Sequence, residues 1–291
     1  MSEIKPSVGF IGLGIMGFAM AINAKKAGFP VRVFNRSSRP IAKALEAGLH
    51  IEKSPKELSE KSDVIVTMVS DPHAIHNVLN GENGVFSSQN KGKTLIQMST
   101  LDRATTLSVA AQAISSGMSF LDCPVTGSKK QVEAGQLILL AGGDLELIKK
   151  CETLLLSMGK AIVHAGVIGQ GTALKLCMNL IVAQLTTALC ESVALAQQQD
   201  LDVKKIFEVI HHSPALNCGY FQIKEQALLT QDFSPAFSLE NMLKDVRFMV
   251  QFIKEKKHSL PVTEAVCQLM EKALQAGLGK EDLTAIFKIL K

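Results

Sequence analysis

Hydrophobic residues in the first part of this chain fall into short runs separated by amphipathic stretches. Val8-Gly9-Phe10-Ile11 is rich in the β-branched and aromatic residues that pleated strands favour, and the helix-patterned stretch Phe18–Ala27 follows it. A second run, Val31–Phe34, leads into a helix near Arg39–Ala47. Further strands are expected at Asp63–Val69, Thr94–Ser99, Ser119–Cys123, Gln136–Ala141 and Ala161–His164, with helices at Arg103–Ser115 and Asp144–Ser157. After Asp63–Val69 the chain reads Ser70-Asp71-Pro72, where Ser70 or Asp71 can cap a helix that carries proline in its first turn. Such alternation predicts an α/β architecture, a mostly parallel, doubly wound sheet with right-handed crossovers. Its ligand crevice is expected beyond the carboxyl ends of the strands.

From Gly169 onward the pattern changes. Convincing strands end, and amphipathic helices are predicted at 171–198, 203–212, 217–229, 239–256, 261–275 and 281–289. The change in class near 165–168 divides the chain into an expected α/β domain, 1–166, and an all-helical domain, 167–291. Ala173–Ala196 is apolar and long enough to span a bilayer. Lys175, Asn179, Gln184 and Glu191 would each be costly there, so it is read as the central, buried helix of a soluble protein. An all-helical domain this apolar is expected to bury surface against further copies of the chain, giving a dimer or tetramer.

Composition narrows the class. The chain has 291 residues, 47% of them hydrophobic and 20% charged, which is the balance of a globular protein of one large or two medium domains. A net charge of +4, spread evenly, suits anionic small molecules and gives no nucleic-acid footprint. Cys123, Cys151, Cys177, Cys190, Cys218 and Cys267 are scattered, with no CxxC pair; reduced, mostly buried thiols are expected, with no metal site and a cytoplasmic location. The opening MSEIKPS leads directly into a strand, and no signal peptide is expected.

The first strand ends in Gly12-Leu13-Gly14-Ile15-Met16-Gly17. A GxGxxG turn between a strand and a helix, with a second strand beyond, is the context of a Rossmann dinucleotide fingerprint. Gly12 would take the tight turn, Gly14 would let backbone approach a pyrophosphate, and Gly17 would let helix and strand pack closely. The second strand continues as Asn35-Arg36-Ser37-Ser38-Arg39, with no carboxylate to accept from an adenosine ribose. Arg36 can fork onto a 2′-phosphate and Ser37 can add a donor, so NADP(H) is predicted over NAD(H); a solvated loop arginine is the plainer reading of Arg36. Met68 and Val69, where the strand after the second helix runs out, join these residues as expected cofactor contacts.

Lys175 and Asn179 stand i, i+4 on an otherwise apolar helix and share one face. A lysine snorkelling to solvent from the helix start would show the same spacing. The chemical reading is a general acid: an ammonium can stabilise and then protonate the oxygen of a carbonyl that receives hydride. Asn179 would hold the substrate oxygen or orient the lysine. At the carboxyl edge of the sheet, Asp122-Cys123-Pro124-Val125-Thr126-Gly127-Ser128 offers hydroxyls and backbone amides to a carboxylate, and Ser99-Thr100 ends a neighbouring strand where a nicotinamide could lie. Lys244-Asp245, by itself, reads as a solvated pair.

Together GLGIMG (12–17), DCPVTG (122–127) and GQGTALKLCMN (169–179) resemble the ordered motifs of the β-hydroxyacid dehydrogenase family, over essentially the whole chain. GSKKQVEAGQLILLAGG (127–143), DFSPAF (232–237) and the Lys244-Asp245 pair are similar to its glyoxylate and succinic semialdehyde reductase branch. The resemblance implies a 6-phosphogluconate dehydrogenase-like fold and NADPH-dependent reduction of small aldehyde acids. It implies Lys175 as the catalytic acid with Asn179 beside it, Thr126, Gly127, Phe237 and Asp245 around the substrate, and Thr100 and Lys244 at the nicotinamide. Related enzymes commonly carry serine where Thr126 stands, and the added methyl trims the expected pocket. Two alternatives share the scaffold: an NAD-linked 3-hydroxyisobutyrate-type dehydrogenase, and a catalytically silent NADP(H)-binding module that works through protein contacts.

Overall fold

The computed structural model describes residues 5–290. The first part alternates as the hydrophobic pattern requires: β1 (Val8–Ile11), α1 (Ile15–Lys26), β2 (Val31–Phe34), α2 (Ser38–Glu46), β3 (His50–Ile51), α3 (Pro55–Glu60), β4 (Val64–Thr67), α4 (Pro72–Asn80), β5 (Thr94–Gln97) and α5 (Arg103–Ser115). Then come β6 (Ser119–Asp122), β7 (Val125–Thr126), α6 (Lys129–Glu133), β8 (Leu137–Gly142), α7 (Leu145–Met158) and β9 (Gly159–Gly166). The sheet order is β3-β2-β1-β4-β5-β6-β8-β7, with β9 on the free side of β8. Strands β1 to β6 are parallel neighbours, whereas β8 is antiparallel to β6 and β7. This is the doubly wound architecture the alternation predicts.

Burial on both faces explains the near-continuous apolar strands. Val66, Ile96 and Leu121 face one core with α1 and α7, and Ile65, Leu95 and Phe120 face another with α3, α4 and α5. Helix starts are fixed by local chemistry: Asp71 Oδ1 accepts from the Ala74 N–H at 2.8 Å, as one of the two expected caps, and Asp102 and Asp144 do the same for α5 and α7. Elements too short to carry a period escaped the pattern: β3, α3, β7 and α6.

The second part is helical: α8 (Gln170–Gln198), α9 (Lys204–His212), α10 (Gly219–Thr230), α11 (Leu239–Glu255) and α12 (Pro261–Gln275) around their own core. The helix expected at 281–289 is instead a 3₁₀ segment, Leu283–Ile289, whose residues Leu283 to Phe287 are all buried. Neighbours wrap these five residues and leave only Lys288 exposed, too little polar surface for an amphipathic helix to turn outward. By contacts the chain forms two compact units, Met1–Lys175 and Leu176–Lys291, that divide inside α8.

α8 corrects a second expectation. By length and composition it could cross a membrane, yet only 33% of its most apolar window is buried, so it is not a fully enclosed core helix. Among its buried positions, Asn179, Ala183, Thr186, Cys190 and Val193 recur at helical spacing along one stripe, while Ile181 and Leu195 are exposed.

Candidate active site

The glycine turn divides its labour. Gly12 has φ +100°, and a Cβ there would lie 2.2 Å from the Met68 carbonyl oxygen. A Cβ on Gly17, inside α1, would lie 2.0 Å from the Gly12 carbonyl oxygen. Both glycines are demanded by the backbone itself. Gly14 is not: a Cβ there would meet nothing within 4 Å, and the residue is exposed. It caps α1 without a side-chain bond, and no acidic residue occupies the first turn. The helix therefore presents unpaired N–H groups and its positive end to open space, a fit for the phosphates of a dinucleotide.

Asn35, just past β2, sets the shape of that turn. Its Oδ1 accepts from the Leu13 N–H at 2.9 Å and its Nδ2 donates to the Ser37 carbonyl at 3.0 Å. Both ends of the amide are engaged by backbone. Arg36 and Ser37 are exposed beyond it. Met68 donates its N–H to Ile11, which lays its carbonyl against Gly12, and the Val69 N–H donates to Ser99 Oγ at 2.8 Å. Ile15 is exposed, Leu13 is buried, and Met16 is half-buried against the core. Thr100 is half-buried midway along the loop between β5 and α5.

The segment after β6 turns through buried Cys123, Pro124 and Val125 to half-buried Thr126, which pairs with Ile138, and exposed Gly127. Ser128 then closes a capping box with Gln131, which starts α6. Asp122, the last residue of β6, carries a role that its place in the sequence does not announce. It is 0% exposed: its Oδ2 accepts from the N–H of Gly169 (3.1 Å) and of Thr172 (2.8 Å), and its Oδ1 from Thr172 Oγ1 (2.7 Å). Burial pushes the Asp122 carboxyl above the usual carboxylate range, opposed by the bonds from Thr172, Gly169 and Gly171.

In the helical unit, Asn179 Nδ2 donates to Asp245 Oδ2 at 2.6 Å, and Lys244 Nζ donates to Asp245 Oδ1 at 2.8 Å. Asp245 is 1% exposed, so the Lys244-Asp245 pair is no solvated surface pair. Lys244 also lies 4.9 Å from the centre of the Phe248 ring. Three predicted residues thus form one hydrogen-bonded group. Lys175, half-buried, precedes Asn179 by a turn on the same helix. Phe237 is held differently: its N–H and that of Ala236 donate to Asp282 Oδ2 at 3.2 and 3.1 Å, and buried Lys224 closes the other side of that carboxylate at 2.8 Å. The Lys224–Asp282 pair went unseen in the sequence, where both residues sit in charged, solvent-like surroundings.

Residues 7–168 match the family described as the NAD binding domain of 6-phosphogluconate dehydrogenase, and residues 169–290 match the NAD-binding family of NADP-dependent 3-hydroxyisobutyrate dehydrogenase. The chain is 34% identical to glyoxylate/succinic semialdehyde reductase 1 of Arabidopsis thaliana, covering 98% of both chains. It is also 34% identical to the chloroplastic reductase 2 of the same plant, covering 98% of this chain and 79% of that one. Among solved structures, 3-hydroxyisobutyrate dehydrogenase of Mycobacterium tuberculosis, determined with L-serine, aligns with a TM-score of 0.88 at 26% identity over 99% of each chain.

Proposed function

Since this chain belongs to the β-hydroxyacid dehydrogenase family and is an NAD(P)-dependent hydroxyacid dehydrogenase, we propose that it uses NADP(H) to reduce small aldehyde acids such as glyoxylate or succinic semialdehyde. In this reading Lys175 is the general acid. The bound nicotinamide supplies hydride to the carbonyl carbon. The Lys175 ammonium stabilises the negative charge that gathers on the carbonyl oxygen and then delivers a proton to it. Asn179 offers its amide beside the lysine, its orientation fixed by the buried Asp245 carboxylate. Thr126, Gly127 and Phe237 contact the substrate, and Thr100 and Lys244 the nicotinamide end. The residues of the glycine turn hold the pyrophosphate, with Asn35 shaping the turn and Arg36 and Ser37 receiving the 2′-phosphate. Residues 1–166 serve the cofactor, while 167–291 serve substrate and assembly into a homo-oligomer, in the cytoplasm.

The observation that carries the reading is half-buried Lys175 standing one helical turn before Asn179, whose amide is committed to a buried carboxylate. A snorkelling lysine has no need of such a fixed neighbour. The test is loss of NADPH absorbance with a panel of aldehyde acids. Lys175→Ala is expected to lower kcat by about 10² to 10⁴, the range of a positioned proton donor, with NADPH affinity unchanged. Near-wild-type turnover would refute it.

A further inference from the structure

We propose that Asp122 is a positioning residue for Lys175: its buried carboxylate anchors the first turn of α8 to the sheet and so fixes where the next turn presents the ammonium. The inference rests on the reading of Lys175 as proton donor.

A helix leaves the N–H groups of its first turn without internal partners, and a short polar side chain at the N-cap commonly takes them. Gly169 stands just before α8 and has no side chain to give. The acceptor comes from the last residue of β6 instead, 47 and 50 positions earlier in the chain. One carboxylate takes the Gly169 and Thr172 N–H groups on one oxygen and the Thr172 hydroxyl on the other. The Thr172 hydroxyl also meets Thr106 Oγ1 of α5 at 3.0 Å. A local cap travels with its helix; a cap built on a central strand cannot.

Two further features make the anchorage rigid. The β6 end lies in register with Gln97 of β5 on one side and Gly142 of β8 on the other, so the carboxylate sits on a sheet hydrogen-bonded from both flanks. Gly171 presses the helix start directly onto that edge, since a Cβ there would lie 2.4 Å from the Leu140 carbonyl oxygen and 2.5 Å from that of Asp122.

Thr172, Lys175 and Asn179 recur at i, i+3 and i+7, one polar stripe along an apolar helix. At about 1.5 Å per residue, Lys175 stands roughly 4.5 Å along the axis from Thr172. Any slip or rotation of the first turn is passed to the ammonium almost undiminished. Misplacing a reacting group by about 1 Å can cost on the order of 10²-fold in rate.

The test is a double-mutant cycle. Asp122→Asn and the milder Thr172→Val, which removes the hydroxyl at nearly constant volume, are made alone and together with Lys175→Ala. Thr172→Ser, which keeps the hydroxyl, is the control. Single-turnover rates at enzyme excess with succinic semialdehyde, NADPH titration and the thermal midpoint are measured for each. Asp122→Asn and Thr172→Val are expected to slow reduction by about 10- to 10²-fold with NADPH affinity within about twofold, and Thr172→Ser to restore the rate. In the Lys175→Ala background the same changes are expected to add less than a further twofold. Equal losses in both backgrounds, or a loss that tracks the fraction of protein still binding NADPH, would overturn the role of Asp122 while leaving Lys175 in place. Near-wild-type turnover of Lys175→Ala alone would overturn both.

Discussion

Gly14 and Gly17 are both glycines of one fingerprint, yet alanine at each should fail in different ways. Gly14 holds φ −67° and ψ −171°, which alanine adopts freely, and its Cβ would meet nothing within 4 Å. The only cost without cofactor is a poorer N-cap, about 1 kcal/mol. On a unit of this size that lowers the thermal midpoint by roughly 2–4 °C. Gly17→Ala instead drives a methyl to 2.0 Å from the Gly12 carbonyl oxygen and 3.3 Å from Met68 Cβ, and α1 must move off β1. Overpacking against backbone costs about 3 kcal/mol or more, a fall of at least roughly 6 °C. With NADPH at about 100 times its wild-type Kd, the wild type gains about 2.7 kcal/mol. If the methyl on Gly14 weakens binding by about 100-fold, that gain shrinks to about 0.4 kcal/mol. Thermal unfolding with and without NADPH reads all four numbers. A Gly14→Ala protein that keeps the full cofactor gain would show that the phosphates do not pass over this residue. An apo loss equal to that of Gly17→Ala would show that Gly14 is structural.

Arg36→Ala should raise the KM for NADPH by roughly 10- to 100-fold, the worth of charge-assisted bonds to a phosphate, and leave that for NADH within about twofold; equal changes for both cofactors would remove Arg36 from the 2′-phosphate. Burial alone would push the Asp282 carboxyl up, but the Lys224 ammonium, bonded to it at 2.8 and 3.0 Å, and the Thr284 donors hold it below the usual carboxylate range. A depressed acid stabilises the fold above its unfolded pKa and loses that contribution as pH falls through the folded value. Urea midpoints of the wild type should therefore fall below about pH 4. Asp282→Asn should flatten that limb and, by leaving Lys224 buried and unpaired, cost about 3–5 kcal/mol at neutral pH; an unchanged limb would rule the pair out. Thiol titration should label exposed Cys177 and half-buried Cys218 first, since burial pushes Cys151 up to about 11 and Cys190 up to about 12. Labelling of Cys190 as fast as Cys177 would contradict that order.

The sheet could be read from the chain because its strands are buried on both faces and its helices on one, so the period of hydrophobicity changes at each element. The parallel core β1, β2, β4, β5 and β6 and the helices between them follow from that alone. Elements of two to six residues, such as β3, β7, α3 and α6, complete a single alternation or fewer than two helical turns, and leave no period to detect. The 3₁₀ segment at Leu283–Ile289 misled for the opposite reason: Leu283 to Phe287 are buried in succession, Thr284 among them, and Lys288 alone is exposed, so no polar face repeats along it. α8 misled in the same way, since an apolar surface says that something must cover a helix without saying that this chain does so.

The candidate site divides along a different line. Glycines of the cofactor turn, and a lysine with an amide on an apolar helix, are visible because their residue types are improbable where they stand. Asp245 and Asp122 are not improbable in sequence; they become unusual only when folding removes them from water. An acid beside a lysine, as at Lys244-Asp245, looks solvated until Asp245 is found 1% exposed with both oxygens occupied, one of them by Asn179. Asp122 and Thr172 lie 50 residues apart, a separation at which spacing carries no signal. A usable signal does exist: a helix start written Gly-x-Gly-Thr has no side chain at its cap, so its N–H groups need an acceptor from elsewhere. In an α/β chain the place to look is an acid at the carboxyl end of a central strand, and β6 ends in one. The groups that react can thus be picked out singly, whereas the groups that aim them emerge from asking which backbone donors a sequence leaves unserved.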